Sequence, residues 1–168
     1  MSIKNVGSKI YRKLKQISST SLLLRELNRI YYRRFYTKDY NASGIDIFSE
    51  DWDNLLILDA CRYDMFKRIS NLSGDLSSRI SRGSSTNEFI MGNFQDRQFN
   101  DTVYVTANPM VYRRSSEWLD VEFHDIINIW REDGWNEKYG TVLPETTAEY
   151  AIKAHERYPN KRLLIHFI

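Results

Sequence analysis

Apolar positions along this chain follow two different rhythms. Near the start, Ile3, Val6, Ile10, Leu14 and Ile17 recur at spacings of three and four. Lys9, Arg12, Lys13 and Lys15 fill the other side, which predicts an amphipathic helix. Ser18-Ser19-Thr20-Ser21 interrupts the pattern and offers N-caps for a second helix through Leu22, Leu23, Leu27, Ile30 and Tyr31. A polar connector, 37–53, follows. The rhythm then changes to short unbroken apolar blocks. Leu55-Leu56-Ile57-Leu58 runs straight into Asp59, and the pattern predicts a strand buried on both faces. Tyr63, Phe66, Ile69 and Leu72 predict a helix over 62–72, ended by Gly74.

Beyond it the elements alternate. Residues 76–81 alternate weakly, as a short strand or an extended lead-in. A helical stretch is expected over 89–94, and a β-branched strand over 102–106. Asn108-Pro109 turns the chain. Residues 122–130 fit helix and strand equally, and 131–135 reads as a loop. Pro144 opens a helix that runs to about Tyr158, where Pro159-Asn160 stops it. Residues 162–168 form a second buried-type strand. Strands alternating with helices predict an α/β fold: a doubly wound, mainly parallel and incomplete sheet, preceded by a basic helical segment. The division expected is a leader and connector over 1–43 and an α/β domain over 44–168.

Charge sharpens that division. The whole chain of 168 residues carries only +2, but residues 1–38 hold ten Lys/Arg and a single acid, Glu26. The remainder is acidic, with 14 Lys/Arg against 21 Asp/Glu. Three roles suit the leader: a helical preface packed on the domain, an anchor on an anionic membrane surface, or a nucleic-acid contact. The last is disfavoured, because no RNA- or DNA-binding motif accompanies Tyr31, Tyr32, Phe35 and Tyr36. One cysteine rules out an internal disulfide and a cysteine zinc cluster. No apolar run approaches the ~18 residues of a membrane span, and the start lacks the apolar core of a signal peptide. A cytoplasmic setting is expected, with peripheral membrane contact through the leader.

Two places carry candidate chemistry. Asp59 ends a predicted central strand, and in open α/β sheets that edge faces the ligand crevice. It can hold a cation or a water there, or simply cap the helix that follows. The second place is Gly83-Ser84-Ser85-Thr86-Asn87-Glu88. Hydroxyls at a helix start meet free N–H groups and the positive end of the helix dipole, which suits phosphate or a nucleophile. Ser85 and Glu88 also have capping-box spacing, the plainer reading. Other chemistries are excluded. There is no P-loop. Cys61 is followed six residues on by Lys67 rather than arginine, and Asp59 by Cys61 rather than a second aspartate two residues on. His124, His155 and His166 are not spaced as a metal pair, and His166 is the best placed of them.

The blocks 58–64, 82–89 and 102–109, with 51–54, 140–145 and the last strand, resemble the sulfatase-like branch of the alkaline phosphatase superfamily, archaeal members most closely. The likeness covers most of residues 44–168. It implies a divalent metal ion (calcium, zinc, magnesium or manganese) held by Asp59. It implies a nucleophile among Ser84, Ser85 and Thr86; Thr86, expected at the cap, is preferred and Ser84 is second. Arg62 or Arg82 would clamp an anionic phosphate- or sulfate-ester substrate. The proline and arginine that formylglycine formation needs are missing: counting from Ser84 those places hold Thr86 and Glu88, and from Ser85 they hold Asn87 and Phe89. Phosphoryl transfer is therefore preferred to sulfate-ester chemistry. Members of the superfamily take further Asp and His ligands from a later half. The expectation is an N-terminal portion of a metal-dependent hydrolase or transferase, inactive by itself and prone to self-association through its incomplete sheet. The alternative is a non-catalytic module that binds a partner or an anionic membrane through the basic leader.

Overall fold

A computed structural model of the chain describes residues 24–28, 30–31, 40–115 and 117–168. The chain divides into two units, 1–38 and 39–168. In the first, residues 24–28 and 30–31 are helical, with Leu24, Leu27 and Tyr31 exposed. The helix expected over 3–17 lies outside the described residues.

The second unit is α/β. Its main sheet contains β1 (Asn54–Leu58), β2 (Arg97–Thr106), β3 (Val121–Asn128) and β6 (Arg162–Phe167). They lie in the order β1-β6-β2-β3, all parallel. The helices are α1 (Tyr63–Ile69), α2 (Thr86–Phe94), α3 (Met110–Ser115) and α4 (Pro144–Arg157). A small antiparallel pair, β4 (Trp135–Asn136) and β5 (Thr141–Val142), turns through Gly140.

Parity along the strands sorts the core into two layers. Tyr104, Leu164 and Phe123 pack with Ile90 and Phe94 of α2, and Leu55 and Ile57 join this side. Val103, Val105, Leu163 and Ile165 pack on the opposite side with Ala154 of α4. Helices thus cover both faces, the doubly wound arrangement expected from the sequence. Residues 122–130, ambiguous by pattern, begin as strand because Phe123 stacks on Phe99 and Tyr104 of β2, 5.0 and 5.1 Å between ring centres.

Three expectations need correction. β1 is not buried on both faces. Among the described residues it pairs with β6 alone, at the edge of the sheet; α4 lies against β6 and β2, so Leu56 and Leu58 remain 57% and 42% exposed. The helix after it stops at Ile69, not Gly74, because the Ser70 N–H closes the last turn on Phe66 and no α1 residue is buried to extend it. Residues 76–81 form no strand; Ile80 and Arg82 instead accept backbone N–H bonds from Ile45 and Asn41.

Candidate active site

Asp59 follows the last residue of β1, at the C-terminal edge of the sheet. Its N–H reaches Phe167 O at 3.4 Å, the final backbone link to β6. The next residue, Ala60, has φ 59°, a left-handed conformation that costs a side-chain-bearing residue about 1–2 kcal/mol. That turn brings the Ala60 N–H onto Asp59 Oδ1 at 2.8 Å. Asp59 is therefore held by its own backbone and does not cap α1, whose cap position is Arg62 with no side-chain bond.

Two strands and a helix bring partners to the other oxygen. Thr86 Oγ1 donates to Asp59 Oδ2 at 2.8 Å. Asn108 Nδ2 donates to the same oxygen at 3.2 Å. His166 Nε2 stands 3.6 Å from it, and His166 Nδ1 meets the Tyr104 hydroxyl at 2.6 Å. Tyr104 and His166 are within 1% of complete burial, while the Asp59 side chain keeps 29% of its surface in solvent. Burial holds the His166 pKa below the ordinary imidazole value and outweighs the opposing pull of Asp59. His166 is thus a neutral imidazole at neutral pH, and its approach to Asp59 is not an ion pair. Burial, with Asp59 adding to it, pushes the Tyr104 phenol up, so it stays protonated and free to donate.

The start of α2 differs from the expected arrangement by one residue. Ser85 is the N-cap: its hydroxyl accepts from the Glu88 N–H at 3.4 Å. Glu88 returns to Ser84, taking both its N–H and its hydroxyl at 2.7 Å. Thr86 is therefore the first helical residue rather than the cap, and its hydroxyl is free of capping duty. Gly83 makes this geometry possible. A Cβ there would fall 2.2 Å from Phe89 N, so only glycine lets the loop lie against the first turn.

The structure brings Asp59 and Thr86 to one point and leaves the other expected residues elsewhere. Ser84 is occupied by Glu88. Arg62 forms a two-pronged, exposed pair with Asp64, both contacts 2.9 Å. Arg82 donates to Gly92 O at 2.6 Å and Gly44 O at 3.3 Å, and sits 3.4 Å from Asp46. Those contacts tie the connector to the C-terminal half of α2, away from Asp59. His124 and His155 are exposed, as surface residues.

Asn108 and Tyr104 were not among the residues singled out from sequence. Asn108-Pro109 read as a turn, yet a polar amide ending a buried strand is itself a signal for the crevice edge. Tyr104 gave no such signal, because its hydroxyl finds a use only when His166 arrives from a strand 62 residues away.

A divalent ion can be tested against this donor set. Asp59 and Thr86 present hard oxygens to one place, which suits magnesium, calcium or manganese. Among the described residues no group of three His, Cys, Asp or Glu side chains could hold a metal. Asp59 and Thr86 could supply at most two oxygens of an ion's shell. Compared with models of known families, with curated proteins and with solved structures, the chain matches none.

Proposed function

We propose that this chain contributes to a metal-dependent site that hydrolyses or transfers phosphate or sulfate esters, with phosphoryl-type transfer preferred. The observation that carries the reading is the 2.8 Å bond from the Thr86 hydroxyl to the Asp59 carboxylate, at the first turn of α2 and the C-terminal edge of a parallel sheet. The likeness of 58–64, 82–89 and 102–109 to sulfatase-like members of the alkaline phosphatase superfamily supports it. Asp59 orients the Thr86 hydroxyl, and Asn108 and Ala60 hold the two oxygens of Asp59. The free N–H groups of the α2 start favour an anionic ester beside Thr86. Asp59 and Thr86 would hold the ion, which supplies positive charge that lowers a hydroxyl pKa and offsets charge on the ester oxygens. Without such charge, an alkoxide on Thr86 would sit against the Asp59 carboxylate and be repelled. Phosphate- or sulfate-bearing substrate is the partner in this reading.

Two oxygen donors are few for a cation that takes six or more. Weak manganese binding is expected, in the range of about 10⁻⁴–10⁻³ M, with little or no turnover of 4-nitrophenyl phosphate. Manganese titration of the whole chain followed by water-proton relaxation tests this. Asp59→Ala should remove the binding. Sub-micromolar binding that survives Asp59→Ala overturns the assignment.

A second reading, a non-catalytic module for a partner or an anionic membrane, is favoured by the exposed Leu56 and Leu58 on the β1 edge. Among the described residues no helix is long and apolar enough to cross a membrane.

A further inference from the structure

We propose that Tyr104 and His166 are positioning residues for Asp59: the phenol fixes His166 as its Nε2–H tautomer, and that N–H faces Asp59 Oδ2. His166 is then a donor toward the carboxylate and not a ligand of the ion. The inference deepens the reading of Asp59 as a metal carboxylate, and its consequence for the ion rests on that reading; the tautomer itself does not.

The argument is one of donors and acceptors. Tyr104 and His166 stand on adjacent strands, β2 and β6, on the α2 side of the sheet, with Tyr104 opposite Leu164 and His166 opposite Thr106. Their 2.6 Å contact is buried, so no solvent substitutes for either partner. Thr106 Oγ1 is engaged by Asn108, donating to its carbonyl at 3.0 Å and accepting its N–H at 2.9 Å. Thr106 also lies within hydrogen-bonding reach of the phenol, but its oxygen already accepts the Asn108 N–H, so the phenol O–H goes to its short 2.6 Å partner His166 Nδ1, which then carries the lone pair. The ring proton sits on Nε2 as a result. At 3.6 Å from Asp59 Oδ2 this is a dipole facing a charge rather than a formed hydrogen bond. The opposite tautomer would point a bare nitrogen lone pair at a carboxylate oxygen. It would also need a second acceptor for the phenol proton. Metal-site carboxylates and histidines are commonly oriented by such outer partners.

The test is the ring ¹⁵N–¹H correlation spectrum of the full chain labelled at histidine, at pH 8, with His166 assigned through His166→Gln. The expected pattern has a protonated Nε2 and a bare Nδ1. Tyr104→Phe, which removes only the hydroxyl, should shift both nitrogens toward the averaged pattern. Adding zinc, the ion with most affinity for imidazole among those expected, should leave Nε2 protonated. For manganese, His166→Gln keeps an N–H near the Nε2 place and should hold wild-type affinity. His166→Leu should weaken it about tenfold. A protonated Nδ1, an unchanged spectrum in a folded Tyr104→Phe, or loss of the Nε2 proton to zinc each overturns the inference. If Tyr104→Phe does not fold, the wild-type pattern decides. If Asp59→Ala leaves ion binding untouched, the proposed function falls, while the tautomer still answers for this pair.

Discussion

Outside the site, Asp46 ties the connector to β2 through several bonds at once. It caps the 3₁₀ turn Ile47–Ser49 through Phe48 N–H at 3.0 Å, and both its oxygens take Arg97 Nη1 at 2.9 Å. Burial alone would raise its pKa; the Arg97 and Phe48 bonds and the charges of Arg97 and Arg82 outweigh it, and the net shift is downward. The folded state therefore binds this proton less readily than the unfolded chain. Its stabilisation is complete above the ordinary carboxylate value near 3.8 and is lost as pH falls through the lower folded pKa. Asp46→Asn should lower stability by about 1–3 kcal/mol at pH 7 and remove that part of the acid dependence. Urea unfolding at pH 7 and pH 3 measures both. At the site, Thr86→Ser should keep the bond to Asp59 and the manganese affinity, while Thr86→Val, which removes the hydroxyl, should weaken manganese binding several-fold. Equal affinity in the two variants would remove Thr86 from the site.

At the scale of elements, α2 is where fold and site meet. The same turn that begins a helix also aims Thr86 at Asp59, so the cap and the candidate site share residues. Ser85→Ala removes the cap and should cost about 1 kcal/mol in thermal or chemical unfolding. Gly83→Ala meets helix backbone at 2.2 Å and cannot be relieved by moving a side chain. It should destabilise by more than the cap substitution, because loop or helix must shift, and it should weaken manganese binding by moving Thr86. A Gly83→Ala variant as stable as wild type would show that the loop does not depend on this close approach.

The whole sheet has an open side. Among the described residues β1 bonds only to β6, and its outward residues Leu56 and Leu58 lie beyond the cover of α4. Exposed apolar edge strands invite pairing with another chain. Concentration-dependent association is expected in sedimentation velocity, and Leu56→Lys should suppress it. A wild-type chain monomeric across the accessible range would count against this edge as a docking surface. The basic leader makes a separate prediction. Anionic liposomes should bind the chain at low salt and release it at 1 M, where the Debye length falls from about 10 Å to about 3 Å. Equal binding to neutral liposomes would remove the electrostatic anchor.

Local pattern alone determined the parts of this protein that depend on near neighbours. Pro144 and Pro159 bracketed α4 because proline fits a first helical turn and stops a helix beyond its end. The Ser85–Glu88 spacing identified the start of α2, since both partners lie within one turn. Alternation of strand and helix gave the parallel sheet. Asp59 and Thr86 stood out because each ends or begins an element, and the fold sets them 2.8 Å apart. Strand order was not legible, so the sequence could not show that β1 is an edge and half exposed: Leu55-Leu56-Ile57-Leu58 reads alike in the centre or at the side. Nor could it separate Arg82, consumed by Asp46 and two carbonyls, from an arginine free to meet an anion. The Tyr104–His166–Asp59 arrangement belongs wholly to the tertiary structure. It exists because β6 inserts between β1 and β2, bringing side chains from three distant stretches into register on one buried face.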